Sequence, residues 1–94
     1  MSDDQSGPYE LRVAGPAVRQ LDQLPESVAA AIVEFMVGAL LDNPHRFGGA
    51  LRRELEGLHS ARRGAYRVIY RIDERAGLVI VVRIDHRATI YRPR

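Results

Sequence analysis

The sequence predicts an α+β fold of order β-α-α-β-β-β, with a two-helix hairpin packed on one face of an antiparallel sheet. Three observations carry this. Residues 16–42 show helical spacing of apolar side chains between prolines. Residues 65–73 and 78–85 are rich in Val, Ile and Tyr, and turn-forming glycines flank them. The chain has 94 residues, 46% hydrophobic and 28% charged, which suits one domain with one core.

The elements follow in order. Residues 1–7 read as an acidic, polar leader, and residues 8–94 as a single domain. Tyr9-Glu-Leu-Arg-Val13 alternates as a strand and ends at Gly15-Pro16. Pro16 suits a first helical turn, with Ala17, Val18, Leu21 and Leu24 on one side of a short helix. Pro25 stops that helix and starts the next, which is expected to run to about Asp42. The second helix carries two apolar stripes, Val28-Ile32-Phe35-Ala39 and Val33-Val37-Leu41. A helix apolar over more than one face is buried deeply or covered by a partner. Residues 44–49 form a loop, residues 51–58 have no clear pattern, and strands follow at about 58–63, 65–73 and 78–85. Arg63-Gly64 and Ala76-Gly77 supply the hairpin turns, with Gly64 expected at positive φ. In the middle strand Tyr66, Val68, Tyr70 and Ile72 point toward the helices; Arg67, Ile69, Arg71 and Asp73 point away.

Composition excludes several chemistries. With no cysteine there is no disulfide framework, thiolate nucleophile or cysteine metal site. His45, His59 and His86 lack metal-ligand spacing, so no metal is expected. No small-molecule cofactor motif is present, and no apolar run is long enough to span a bilayer, which predicts a cytoplasmic protein with no membrane partner. The charge is uneven: residues 1–43 carry seven acids against two arginines, and residues 44–94 carry twelve arginines against five acids. There is no lysine. Arginine presents a rigid five-donor fork suited to phosphate, so the second half predicts a polyanion surface. Arg67 and Arg71 share a sheet face, Arg62 and Arg63 end the strand before, and Arg83 and Arg87 close the last strand. Arg52 and Arg53 precede these, beside Glu54 and Glu56. Tyr66, Tyr70 and Tyr91 offer rings for base stacking; parity sets the first two on the helix-covered face and leaves Tyr91 as the better candidate.

Leu24-Pro25, Asn43-Pro44-His45-Arg46, the run Leu55-Glu-Gly-Leu-His-Ser-Ala-Arg-Arg-Gly-Ala-Tyr-Arg-Val-Ile-Tyr70 with Ile72-Asp73, and His86-Arg87-Ala-Thr-Ile-Tyr91-Arg92 together resemble the RelE/ParE toxin superfamily. Among its members the chain looks most like the RelE-type mRNA interferases of type II toxin–antitoxin systems. The resemblance implies a small endoribonuclease that enters the ribosomal A site and cuts the mRNA there. The 2′-hydroxyl is the nucleophile, and no metal is needed. It implies that Arg67 holds the scissile phosphate and Arg87 is a second phosphate arginine. His86 and Tyr91 match positions used for proton transfer or stacking, and Arg62 falls near the basic positions of the preceding strand. Some relatives place lysines on that strand; here it reads Leu58-His-Ser-Ala-Arg62. Arginine is a poor general base, so His86 and Tyr91, with His59 behind them, are the acid–base candidates. Arg62, Arg63, Arg71, Arg83, Arg52 and Arg53 are expected to bind RNA phosphates. The alternative is a ParE-like toxin that poisons DNA gyrase without cutting RNA, or, more blandly, a degenerate toxin kept as a partner-binding module; His86-Arg87 with Tyr91 favours the interferase. Either toxin implies a cognate antitoxin, expected to be acidic, amphipathic and partly disordered; the interferase also implies the ribosome with its mRNA as partner.

Overall fold

The computed structural model describes residues 9–47 and 57–86. The order is β1 (Glu10–Val13), α1 (Gly15–Gln23), α2 (Glu26–Val37), α3 (Ala39–Asp42), β2 (Leu58–Arg63), β3 (Tyr66–Asp73) and β4 (Leu78–His86). The strands form one four-stranded sheet in the order β1-β4-β3-β2.

β2, β3 and β4 join as consecutive antiparallel hairpins, as the turn residues require. Gly64 and Gly77 occupy those turns at φ 63° and 69°, a region open to glycine and costly for branched side chains. β1 differs from an all-antiparallel expectation, because it pairs with β4 in parallel. The cause is the helical crossover. The helices return the chain to the end where β1 began, so β2 runs parallel to β1, and two hairpins restore that direction in β4. β1 covers β4 only as far as Val81. Beyond it, the side chain of Gln20 on α1 accepts the Ile84 N–H at 2.7 Å and satisfies the exposed strand edge.

The second helix does not run unbroken to Asp42. Gly38 leaves helical geometry at φ −108° and ψ −98°, dividing it into α2 and α3. A Cβ at that position would stand 3.1 Å from the Glu34 carbonyl oxygen, a tight contact that needs a shift of a few tenths of an ångström. The break redirects Leu40 and Leu41 into the core. Of the two apolar stripes, Ile32 and Phe35 are buried, whereas Val33 and Val37 remain 40% and 51% exposed. Ala17 of α1, Ile32, Phe35 and Met36 of α2, and Leu40 and Leu41 of α3 pack with Val68, Tyr70, Val79, Val81 and Ile84 in one core.

Tyr70 stands at the centre of that core. Its hydroxyl donates toward the carbonyl oxygens of Pro44 at 2.6 Å and Phe47 at 3.0 Å, tying the loop after α3 to the sheet. Burial pushes its pKa up to about 12. Among the described residues no helix is long and apolar enough to cross a membrane.

Candidate functional site

A β-bulge decides which side chains share the sheet face turned away from the helices. In the β3–β4 ladder Ile69 pairs with Arg83 and Tyr70 with Val81, so Val82 is an extra residue. Strict alternation from Val79 and Val81 would drive Arg83 and Asp85 into the core. The bulge reverses parity: Ile84 points to the helices, and Arg83 and Asp85 join the opposite face.

That face carries arginines from three neighbouring strands. Arg67 on β3 lies between Arg62 on β2 and Asp85 on β4. The next row is Ser60, Ile69 and Arg83; the one after is Leu58, Arg71 and Ile80. Ser60, Ile69 and Leu58 are buried, and Arg62 and Arg71 are exposed above them. Arg67 Nη1 donates to Ser60 Oγ at 3.3 Å. Arg83 Nε donates to Asp85 Oδ2 at 2.6 Å. Adjacent strands lie only about 4.8 Å apart, and like charges directly opposite on a sheet oppose folding. The Arg62–Arg67 pair is therefore unfavourable to the isolated fold and suited to an anion laid across the strands.

Other expected site residues lie elsewhere. Arg63 belongs to the helix side, because neighbours on a strand face opposite ways. Its guanidinium carbon sits 3.7 Å from the Phe35 ring centroid and 5.3 Å from that of Phe47, and its Nη1 donates to the Arg62 carbonyl at 2.6 Å. It is a cation–π clamp on α2 and lies off the arginine face. His86 is exposed at the end of β4, opposite Tyr66, with the rings 5.0 Å apart and edge-to-face. It shares the sheet end of Arg67 but projects from the other face. His59 also faces the helices, stacked on Tyr70 with centroids 5.5 Å apart. Burial, and then the nearby His45, lower its pKa. Arg87, Tyr91, Arg52 and Arg53 lie outside the described residues.

Two features were not anticipated from the residues. One is the buried pair of polar side chains, Ser60 and Asp85, set among the arginines. Only the register, with Asp85 opposite Arg67, reveals it. The other lies at the far end of the sheet. Tyr9 donates to Glu74 at 2.9 Å, His45 Nε2 contacts the other Glu74 oxygen, and the His45 and His59 rings approach to 6.2 Å. The hydrogen bonds from Tyr9 and His45 hold the Glu74 carboxyl below its ordinary pKa. Among the described residues no three of His, Asp and Glu gather to hold a metal ion.

The profile of the family described as "ParE toxin of type II toxin-antitoxin system, parDE" matches residues 11–91. The chain is similar to Toxin RelE of Mycobacterium tuberculosis, with 53% identity over 92 residues covering 98% of this chain and 93% of that protein. It is similar to Toxin RelG of the same organism, with 52% identity over 85 residues covering 90% and 98% of the two chains. The crystal structure of the RelBE2 toxin–antitoxin complex of M. tuberculosis superposes with a TM-score of 0.81 and 50% identity, covering 85% of this chain and 99% of that one. With the profile spanning nearly the whole chain, and half of the residues shared with these toxins, the chain belongs to the RelE/ParE superfamily of toxins of type II toxin–antitoxin systems.

Proposed function

We propose that this toxin is a ribosome-dependent endoribonuclease that cleaves mRNA in the A site. The observation that carries the reading is the row of Arg62, Arg67, Arg71 and Arg83 on one sheet face, in a chain 53% identical to a protein named Toxin RelE. In the proposed reaction the 2′-oxygen attacks the adjacent phosphorus, the 2′-O–P bond forms and the P–O5′ bond breaks. The products are a 2′,3′-cyclic phosphate and a 5′-hydroxyl, and the proton lost at the 2′-oxygen is returned at the 5′-oxygen. Negative charge grows on the non-bridging oxygens, so a donor fixed there lowers the barrier more than it strengthens binding. Arg67, held on an inner strand and hydrogen-bonded to Ser60, is rigid enough for that task. Arg87 is the proposed second phosphate ligand and Tyr91 the proposed proton-transfer group; His86, at the same sheet end but on the opposite face, would serve only where the RNA passes around that end. Arg62, Arg71 and Arg83 extend the phosphate track.

The family profile is described by its ParE members, which favours a second reading, a toxin that poisons DNA gyrase. Expression of the protein alone distinguishes the two. Primer extension that finds mRNA cut within codons, with translation arrest, supports the nuclease. Filamentation and a DNA-damage response with intact mRNA would replace it with the gyrase poison.

We also propose a cognate antitoxin as partner, since the similar RelBE2 structure is a toxin–antitoxin complex. The exposed Val33 and Val37 and the arginine face lie on opposite sides of the fold, so one straight acidic helix does not reach both. The proposed partner is a partly disordered chain that wraps the toxin, with its acidic segment on the sheet.

A further inference from the structure

We propose that Asp85 is a positioning residue that orients Arg83 toward the substrate phosphate. The inference rests on the reading of the arginine face as an RNA-phosphate site. Asp85 is a carboxylate set among cations, opposite Arg67 in the ladder and two residues from Arg83 on the same strand. Its side chain is only 11% exposed, and it accepts the Arg83 Nε–H at 2.6 Å, whereas the Arg83 side chain is 40% exposed. Burying a carboxylate is costly unless a cation and its hydrogen bonds match it. A hydrophobic residue at this position would fill the floor beside Ile69 without that cost, so the carboxylate needs an explanation beyond packing.

The geometry supplies one. A guanidinium has five donors in a rigid fork. Asp85 engages the Nε edge, and no other described residue engages the Nη1–Nη2 end. With the Nε edge engaged, that end is left to grip a phosphate with two parallel hydrogen bonds. A long exposed arginine otherwise loses several rotatable bonds when it binds. Asp85 removes much of that freedom in advance. The same carboxylate repels the phosphate it helps to seat, since its charge lies within a few ångströms of the arginine fork. The two effects separate in kinetics: orientation raises the rate of the bound complex, and repulsion weakens binding.

The test is single-turnover cleavage on programmed ribosomes, titrated to saturation, for Asp85→Ala, Asp85→Asn, Arg83→Ala and the Asp85→Ala/Arg83→Ala pair, each checked for folding by thermal melting. Asp85→Ala is expected to lower the saturated rate about 10–100-fold, the scale of a misplaced contact. Its half-saturating concentration should stay level or fall about threefold, as one charge about 7 Å away in water allows. Asp85→Asn, whose carboxamide oxygen still accepts from Nε, should recover most of the rate. The double variant should be no slower than Arg83→Ala. Additive losses, or a rate that falls only in step with the folded fraction, would overturn the positioning role. If Asp85→Ala does not fold, Asp85→Leu, which fills the same space but cannot accept from Nε, completes the cycle with Arg83→Ala, and additivity there overturns the proposal equally. A wild-type protein that cuts no mRNA overturns the site reading and this inference together; a wild-type protein that cuts, with additive variants, overturns this inference alone.

Discussion

Removing one oxygen atom from the centre of the molecule, by Tyr70→Phe, tests how the sheet holds the loop that leads out of α3. The Tyr70 hydroxyl has one proton and two carbonyl neighbours, Pro44 at 2.6 Å and Phe47 at 3.0 Å, and Pro44 is itself buried. A net hydrogen bond contributes about 1 kcal/mol, and a buried acceptor left without a partner costs about 1–3 kcal/mol. The variant should therefore be about 1–3 kcal/mol less stable. For a domain of this size each kcal/mol corresponds to about 4–8 °C in Tm. A second signature lies in alkali. The folded phenol keeps its proton to about pH 12, whereas the unfolded one loses it near 10.0. Between those values the unfolded state ionises first, so this group's contribution to stability is complete below pH 10 and is lost as pH approaches 12. Tyr70→Phe should flatten that fall. Urea unfolding followed by circular dichroism from pH 8 to 12, with the phenolate absorbance recorded alongside, gives both quantities. A variant that melts with the wild type and declines just as steeply in alkali would show that the hydroxyl does not anchor the loop.

Gly64→Val should cost about 1–3 kcal/mol, the scale of a strained backbone position; nothing crowds a Cβ there, so the cost would come from φ 63° alone, and an unchanged Tm would refute the turn geometry. Arg67→Ala should slow cleavage on programmed ribosomes by about 10²–10³-fold, as for loss of one transition-state donor; a wild-type rate would place the site elsewhere. Arg62→Ala should weaken ribosome association at low salt and reduce the slope of log affinity against log salt by about 1; an unaltered slope removes Arg62 from the phosphate track. Glu74 has its folded pKa depressed below 4.5, so its contribution is present above that value and lost as pH falls through the folded pKa. Glu74→Gln should therefore blunt the acid limb of a Tm profile between pH 3 and 6, and an identical acid limb would rule out the Tyr9–Glu74–His45 link as its source.

The uneven charge noted in the sequence has a simple spatial form. The acids of the first half include Asp22, Glu26, Glu34 and Asp42 on the helical layer, and the arginines of the second half include Arg62, Arg67, Arg71 and Arg83 on the far side of the sheet. A phosphate chain approaching the molecule meets attraction on one side and repulsion on the other, which orients encounter before contact.

Local periodicity was enough for the order of elements, the proline-bounded helices, both turn glycines and the face of Arg67 and Arg71. Each of these depends on residues within a few positions of one another, where φ, ψ and side-chain parity are local properties. The family was legible too, because the most specific of its motif residues lie in two short runs, within 55–73 and 86–92. Other features depended on which segments meet after the chain has crossed over. The parallel seating of β1 follows from the helical return, and the break at Gly38 accompanies the turn of Leu40 and Leu41 into the core. The grouping of Tyr9, His45 and Glu74 joins residues up to 65 positions apart. For the site itself the deciding event was one extra residue. Alternation along β4 assigns Arg83 and Asp85 to the face of Val79 and Val81, and only the ladder with β3 shows that Val82 bulges and turns both toward Arg67. Alternation is a property of one strand, whereas register belongs to two, and it is register that brought the arginines of three strands together around one buried carboxylate.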